Sequence, residues 1–169
     1  MARKLGLNAT QRMALIKNQA TALLWYGRIE TTEARAKEVA SYVAKIITLA
    51  VNTYEDVVET EVTVKDAKGK DVKKTLVKDG TKKLNARRKI ISMVNDMQEV
   101  KGFKESKADF KARTADVKSP LIEKIFDEYA KKYAERKEEK GQGGGYTRNY
   151  KLGPRKGDAA EVAIIELVD

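Results

Sequence analysis

The closing stretch "EVAIIELV", Glu161 to Val168, constrains the fold more than any other part of the sequence. Strand alternation sends Val162, Ile164 and Val168 to one side and Ala163, Ile165 and Leu167 to the other. A strand apolar on both faces belongs inside a sheet, covered by helices on at least one side. The residues just before it have the opposite character. "GQGGGYTRNYKLGPRKG", Gly141 to Gly157, contains no acid. Within it Tyr146, Arg148, Tyr150 and Leu152 alternate with Thr147, Asn149 and Lys151, and "GPRKGD" reads as a turn projecting Arg155 and Lys156. The two halves predict a β-hairpin in which an interior strand anchors a basic strand and a basic tip.

Helices must then supply the cover. Met13, Ile16, Ala20, Leu23 and Leu24 form one face of a helix from Asn8 to Tyr26, with Gly27 as its C-terminal cap. Arg12, Lys17 and Asn18 lie beside that stripe. An extended piece around Ile29 follows. Thr31 or Thr32 then caps a second helix, with Glu33 near its positive end and Ala36, Val39, Val43, Ile46, Ile47 and Ala50 as its buried face. Arg35, Lys37 and Lys45 fall outside that face. "VVETEVTVKDAKGKDVKKTLVKD" alternates β-branched and polar residues around Gly69 and predicts a hairpin over Val57 to Val77. A short helix around "LNARRKIISMVND" directs Leu84, Ile90, Ile91 and Val94 inward, and residues 97–118 read as loop with some helix. Ser119 and Pro120 open a last helix striped by Ile122, Ile125, Phe126, Tyr129 and Tyr133, and Gly141 ends it. The expected class is α+β: three to four helices on a small mixed sheet that includes the C-terminal hairpin, plus an inserted hairpin.

Charge distribution points to the partner. The 169 residues carry a net charge of +10, yet no Asp or Glu precedes Glu30, while Arg3, Lys4, Arg12, Lys17 and Arg28 all do. Two acid-free basic zones therefore bracket a mixed-charge middle, which reads as a solvated face. Solubility does not require acids to be absent. Contact with phosphates favours their absence, because each carboxylate there repels. The expected partner is a nucleic acid, with no membrane and no small-molecule substrate. The chain has no Cys and no His, which removes thiolate sites, the commonest metal ligand and the commonest general base. "GQGGG" followed by Tyr146 breaks the dinucleotide-binding pattern at its third glycine, and no phosphate-loop motif occurs. An enzyme is not expected, nor are cofactors or a metal. No apolar run reaches the length of a membrane span, and the start does not read as a signal peptide, so a soluble, intracellular chain is expected. Charge alone leaves RNA and DNA open, and a nucleoid-type DNA-binding protein is the alternative.

A set of short motifs separates the two. "RKLG" at Arg3 to Gly6, "GRIETT" at Gly27 to Thr32, "RAKEV" at Arg35 to Val39 and "ITLA" at Ile47 to Ala50 resemble the bacterial large-subunit ribosomal protein seventeen family. "NARR" at Asn85 to Arg88, "KYAER" at Lys132 to Arg136, "GGYTR", "GPRKGDAAEV" and "IIELV" continue the resemblance in order. It implies an α+β structural protein of the large ribosomal subunit in the cytoplasm. Such a protein binds large-subunit ribosomal RNA near the exit of the peptide tunnel, beside other ribosomal proteins, and no homo-oligomer is expected. The whole chain, 1–169, is then a single domain, with residues 52–83 and 96–118 as insertions relative to the shorter family pattern.

The candidate RNA-binding residues are Arg3, Lys4, Arg12, Lys17, Asn18, Arg28, Arg35, Lys37, Arg87, Arg88, Tyr146, Arg148, Lys151, Arg155 and Lys156. Arginine suits phosphate because its planar fork can hold two oxygens at once. Two readings stand open for Tyr146 and Tyr150, which can stack on unpaired bases or fill the core. Arg87 and Arg88 can likewise touch RNA or simply solvate a helix surface.

Overall fold

The structure is a computed structural model that describes residues 3–65, 71–115 and 117–168. Helix α1 (Ala9–Tyr26) starts where the Asn8 side chain accepts the Gln11 N–H at 2.8 Å. It stops at Gly27, whose φ of 78° is left-handed and whose N–H donates to the Leu23 carbonyl. Strand β1 (Arg28–Thr32) leads into α2 (Glu33–Val51). The hairpin β2 (Val57–Lys65) and β3 (Asp71–Asp79) precedes α3 (Thr81–Met93), and α4 (Lys107–Thr114) stands in the stretch read as mostly loop. A last helical run comprises α5 (Pro120–Lys124), a π-helical segment (Ile125–Ala130) and α6 (Lys131–Lys140). Strands β4 (Thr147–Pro154) and β5 (Glu161–Leu167) close the chain.

The α+β class is as expected, and "EVAIIELV" does sit inside a sheet. The order is β1-β5-β4, with Ile29 opposite Ile165 and Asn149 opposite the same residue from the other side. Pairing among the described strands is antiparallel throughout, which corrects the expectation of a mixed sheet. Ala163 and Ile165 are fully buried and join Leu23, Leu24, Val39, Val43, Ile47 and Phe126 in one core. Val162, Ile164 and Glu166, on the opposite side, are only half-buried. Helices thus cover one face of the sheet and leave the other accessible.

The last helix carries the largest buried side chains. A π turn closes its hydrogen bonds five residues apart where an α turn closes them four apart, so it holds more residues and widens the stripe facing the core. Ile125, Phe126, Tyr129 and Ala130 are all buried there as adjacent pairs, followed by Tyr133 and Ala134. The Tyr129 hydroxyl donates to the Leu24 carbonyl at 2.8 Å and the Tyr133 hydroxyl to the Val168 carbonyl at 2.9 Å. These two bonds tie the helix to α1 and to the end of β5. Burial pushes the Tyr129 phenol up to about 12.

Several local expectations are corrected. Leu84 and Ile91 of α3 face solvent, because the helix turns Ala86, Ile90 and the C-terminal cap Val94 into the core, with Arg87 and Met93 packed beside them. Met13 is also exposed, one turn before the point where α1 becomes enclosed. Thr32 and Ser119 occupy the capping positions without a capping side-chain bond; the Ser119 carbonyl accepts the N–H groups of Ile122 and Glu123 instead. The proposed segment 52–83 overruns the first turn of α3. The tight turn at Gly69 lies outside the described residues.

Candidate nucleic-acid interface

The sheet assembles the first basic surface. Register places Arg28 and Arg148 on either side of Glu166, and Glu30 and Tyr150 on either side of Ile164, all on the face without helices. Arg28, Arg148 and Tyr150 are exposed, Tyr150 by 42%. Neither arginine has an ion-pair partner among the described residues. Beyond this face a bulge between Lys151 and Gly153, with Gly153 at a φ of 96°, turns the strand toward its tip. Lys156 is exposed there. Arg155 is not a free cation. Its Nε and Nη2 donate to the two oxygens of Asp158 at 2.9 and 2.6 Å, and those bonds, with the Ala160 N–H, hold the Asp158 carboxyl at about 2.

A second basic surface follows α1 and α2. Arg12, half-buried, shares a groove with Met13, Ile16, Glu38, Tyr42 and Lys45. Lys45 also borders the adjoining groove, which reaches across α2 to Lys89 of α3. The outward line of α2 is Lys37, Ser41, Lys45 and Thr48, all exposed. Arg3 and Lys4 are exposed nearby, and the Arg3 N–H donates to Glu38 Oε1 at 3.2 Å. Arg35 and Lys17 are half-buried, and Asn18 accepts a bond from the Asn95 side chain. Lys37 and Lys151 converge on Glu33 Oε1 at 2.6 and 3.1 Å. Those two ammonium groups hold the Glu33 carboxyl below its usual range.

Two candidates belong to the interior. Tyr146 is 6% exposed, packs edge-on against Tyr133 with ring centres 4.8 Å apart, and approaches Thr48 through its hydroxyl. Its ring cannot be reached by a base. Of its two open readings the core applies, whereas for Tyr150 it does not. Arg87 lies across the Phe126 ring and binds Asp79 and Glu123, each at 2.6 Å. Partial burial lowers its basicity, but the bonds it donates to Glu123 and Asp79 outweigh that and hold its proton more tightly than usual. Arg87 fastens β3, α3 and α5 together. Arg88, its neighbour, is exposed with no ion-pair partner among the described residues.

Sequence reasoning missed three residues. Lys45 and Lys89 were hidden because each is one lysine among many, and only the packing of α1, α2 and α3 aligns them with Arg12. Arg136 left a signal. It falls three residues after Tyr133, in step with the buried stripe, and it is 8% exposed. Its guanidinium covers the rings of Tyr133 and Tyr146 and donates to the Gly144 carbonyl, fixing the glycine-rich loop that enters β4.

Fold and surface together define a basic α+β protein with accessible cations on one open sheet face and along the grooves that α1, α2 and α3 form. Comparison with known proteins places it further. The profile of the family described as ribosomal protein L17 matches residues 15–168. A protein of Lachnospira eligens, named "Large ribosomal subunit protein bL17", is 42% identical over 185 aligned residues covering 98% of each chain. Proteins of the same name from Ruminiclostridium cellulolyticum and Clostridium botulinum are 43% and 37% identical, over 98% of this chain and 98% and 96% of theirs. The chain belongs to the ribosomal protein L17 family, which is a family of structural proteins and not of enzymes.

Proposed function

We propose that this protein is a structural constituent of the large ribosomal subunit in the cytoplasm that binds large-subunit ribosomal RNA near the exit of the peptide tunnel. Its neighbours there are other large-subunit proteins, with no membrane and no second copy of itself. The observation that carries RNA contact is the open sheet face, where Arg28 and Arg148 flank Glu166 unpaired and Tyr150 presents its ring in the next row. Phosphates match the arginines, and an unstacked base matches the tyrosine. The groove from Arg12 through Lys45 to Lys89 supplies a second line of phosphate contacts. The DNA-binding alternative rests on a basic helix and a basic hairpin arm, which charge alone does not assign to RNA or DNA, and membership of a ribosomal family favours RNA. We read the segment expected at 52–83, cut back to end before α3 begins at Thr81, and residues 96–118 as additions to a single domain.

The test replaces Arg28, Arg148 and Lys156 with Gln, which removes charge without placing acids opposite Glu166. The folded protein should keep its circular dichroism and melting curve. Its incorporation into large subunits, read by co-sedimentation after a high-salt wash, should fall several-fold. Each lost phosphate contact should also flatten the salt dependence by roughly one unit of log-log slope or less. Wild-type incorporation by the triple variant would remove the sheet face from the RNA interface.

A further inference from the structure

The excursion between α3 and α5 displays an aromatic side chain that the fold does not use. Phe103 is 102% exposed and Val100 is 88% exposed, in a chain whose other phenylalanines are buried or half-buried. The segment around them is nevertheless built. The Glu105 N–H donates to the Gly102 carbonyl at 3.2 Å, and the Gly102 N–H donates back to Glu105 Oε2 at 3.0 Å. Phe103 and Lys104 therefore occupy the two central positions of a closed turn. Arg113 of α4 clamps the base of that turn by binding both Glu99 and Glu105. Ser106 caps α4 by accepting the Asp109 N–H at 3.1 Å, and Gln98 reaches the Lys118 carbonyl at 3.3 Å.

This arrangement sorts the charges. Both acids that flank the tip are engaged by Arg113, which together with the Gly102 N–H holds the Glu105 carboxyl below its usual range. The run Val100 to Lys104, "VKGFK", contains Lys101 and Lys104 and no acid. An exposed ring between two exposed lysines matches one ligand well: an unpaired nucleotide, its base on the ring and its phosphates on the ammonium groups. A protein partner would offer Phe103 an apolar pocket but would leave both lysines to find acids.

We propose that the Phe103 turn is a second RNA-stacking site, which captures one unpaired nucleotide of large-subunit ribosomal RNA and gives residues 96–118 their function. The proposal rests on the ribosomal reading above and adds a named contact to it.

The experiment uses the full chain in intact large subunits. Photoactivatable benzoylphenylalanine at position 103, with illumination of purified subunits, should cross-link the chain to ribosomal RNA at a single unpaired nucleotide mapped by primer extension. In a separate strain, Phe103→Ala should raise the chemical reactivity of that nucleotide by about five-fold or more, the equivalent of losing one base–aromatic contact. Phe103→Tyr should leave it protected. Folding of the chain, read by circular dichroism and melting of the purified protein, should be unchanged in all three, since the wild-type ring is fully exposed and touches nothing within its own fold. Cross-links confined to a neighbouring protein, or no cross-link from incorporated chain, would overturn this site and leave the ribosomal reading intact. Failure of the wild-type chain to sediment with large subunits would overturn both.

Discussion

Arg87 shows how a basic residue in a basic protein can serve the fold instead of the partner. Replacing it with Ala leaves the carboxylates of Asp79 and Glu123 without their shared partner and removes the guanidinium from over the Phe126 ring. The expected cost is about 1–3 kcal/mol, read from the denaturant midpoint. Arg88→Ala, on the solvent side of the same helix, should stay within about 0.5 kcal/mol. The acid side of the stability curve provides an independent check. Partial burial raises the Asp79 carboxyl, but the bonds from Arg87 and Lys83 outweigh it and leave the group below its ordinary range near 4. A depressed acid stabilises the fold above its unfolded pKa and stops doing so as pH falls through its folded value. The gap between wild type and Arg87→Ala should therefore be full at pH 7 and shrink below about pH 4. A pH-independent gap would mean that the loss is one of packing over Phe126.

At the scale of elements, α3 is capped from outside itself. Gly80 stands at its N-terminal cap without a side chain to offer, and the Asp56 carboxylate accepts the Lys82 and Lys83 N–H groups at 2.8 and 3.2 Å. A Cβ on Gly80 would come within 2.4 Å of that carboxylate. Gly80→Ala should displace Asp56, uncap α3 and cost roughly 1 kcal/mol in thermal or chemical unfolding. Asp56→Asn, which keeps an acceptor oxygen, should cost less. The adjoining α1–α2 surface makes a different prediction. Arg12→Ala with Lys45→Ala should leave stability unchanged but weaken RNA binding, with up to about two units lost from the log-log salt slope. An unchanged slope would assign both side chains to solvent.

On the scale of the whole molecule, the β2–β3 hairpin leaves the body at Asp56 and returns at Gly80, where the Gly80 N–H donates to the Asp56 carbonyl at 2.8 Å. Val58 and Val77 are more than half exposed, and a two-stranded hairpin is marginal when nothing covers it. Replacing residues 58–78 with a short Gly/Ser linker keeps Asp56, Asp79 and Gly80, and with them the cap of α3 and the anchor of Arg87. The shortened protein should fold with a melting temperature within a few degrees of the full chain and still enter large subunits, because a loop closed at its base tolerates changes in length. Loss of folding would make the hairpin part of the core.

The sequence by itself determined the elements. Periodicity marked α1, α2 and the last helix, the two-faced apolar run placed β5 at the centre of its sheet, and the charge desert after Gly141 marked the basic hairpin. Short-range rules suffice there, because each signal lies within one element. Only tertiary structure decided which cations remain available. Arg87 and Arg88 are adjacent and chemically identical, yet Asp79 on the preceding strand and Glu123, 36 residues on, claim one and leave the other in solvent. Tyr146 and Tyr150 share a strand pattern, yet the α2 and α6 side chains enclose the first and leave the second open. The available surface depends on which partners from elsewhere in the chain arrive first, and alternation along a strand carries no record of that.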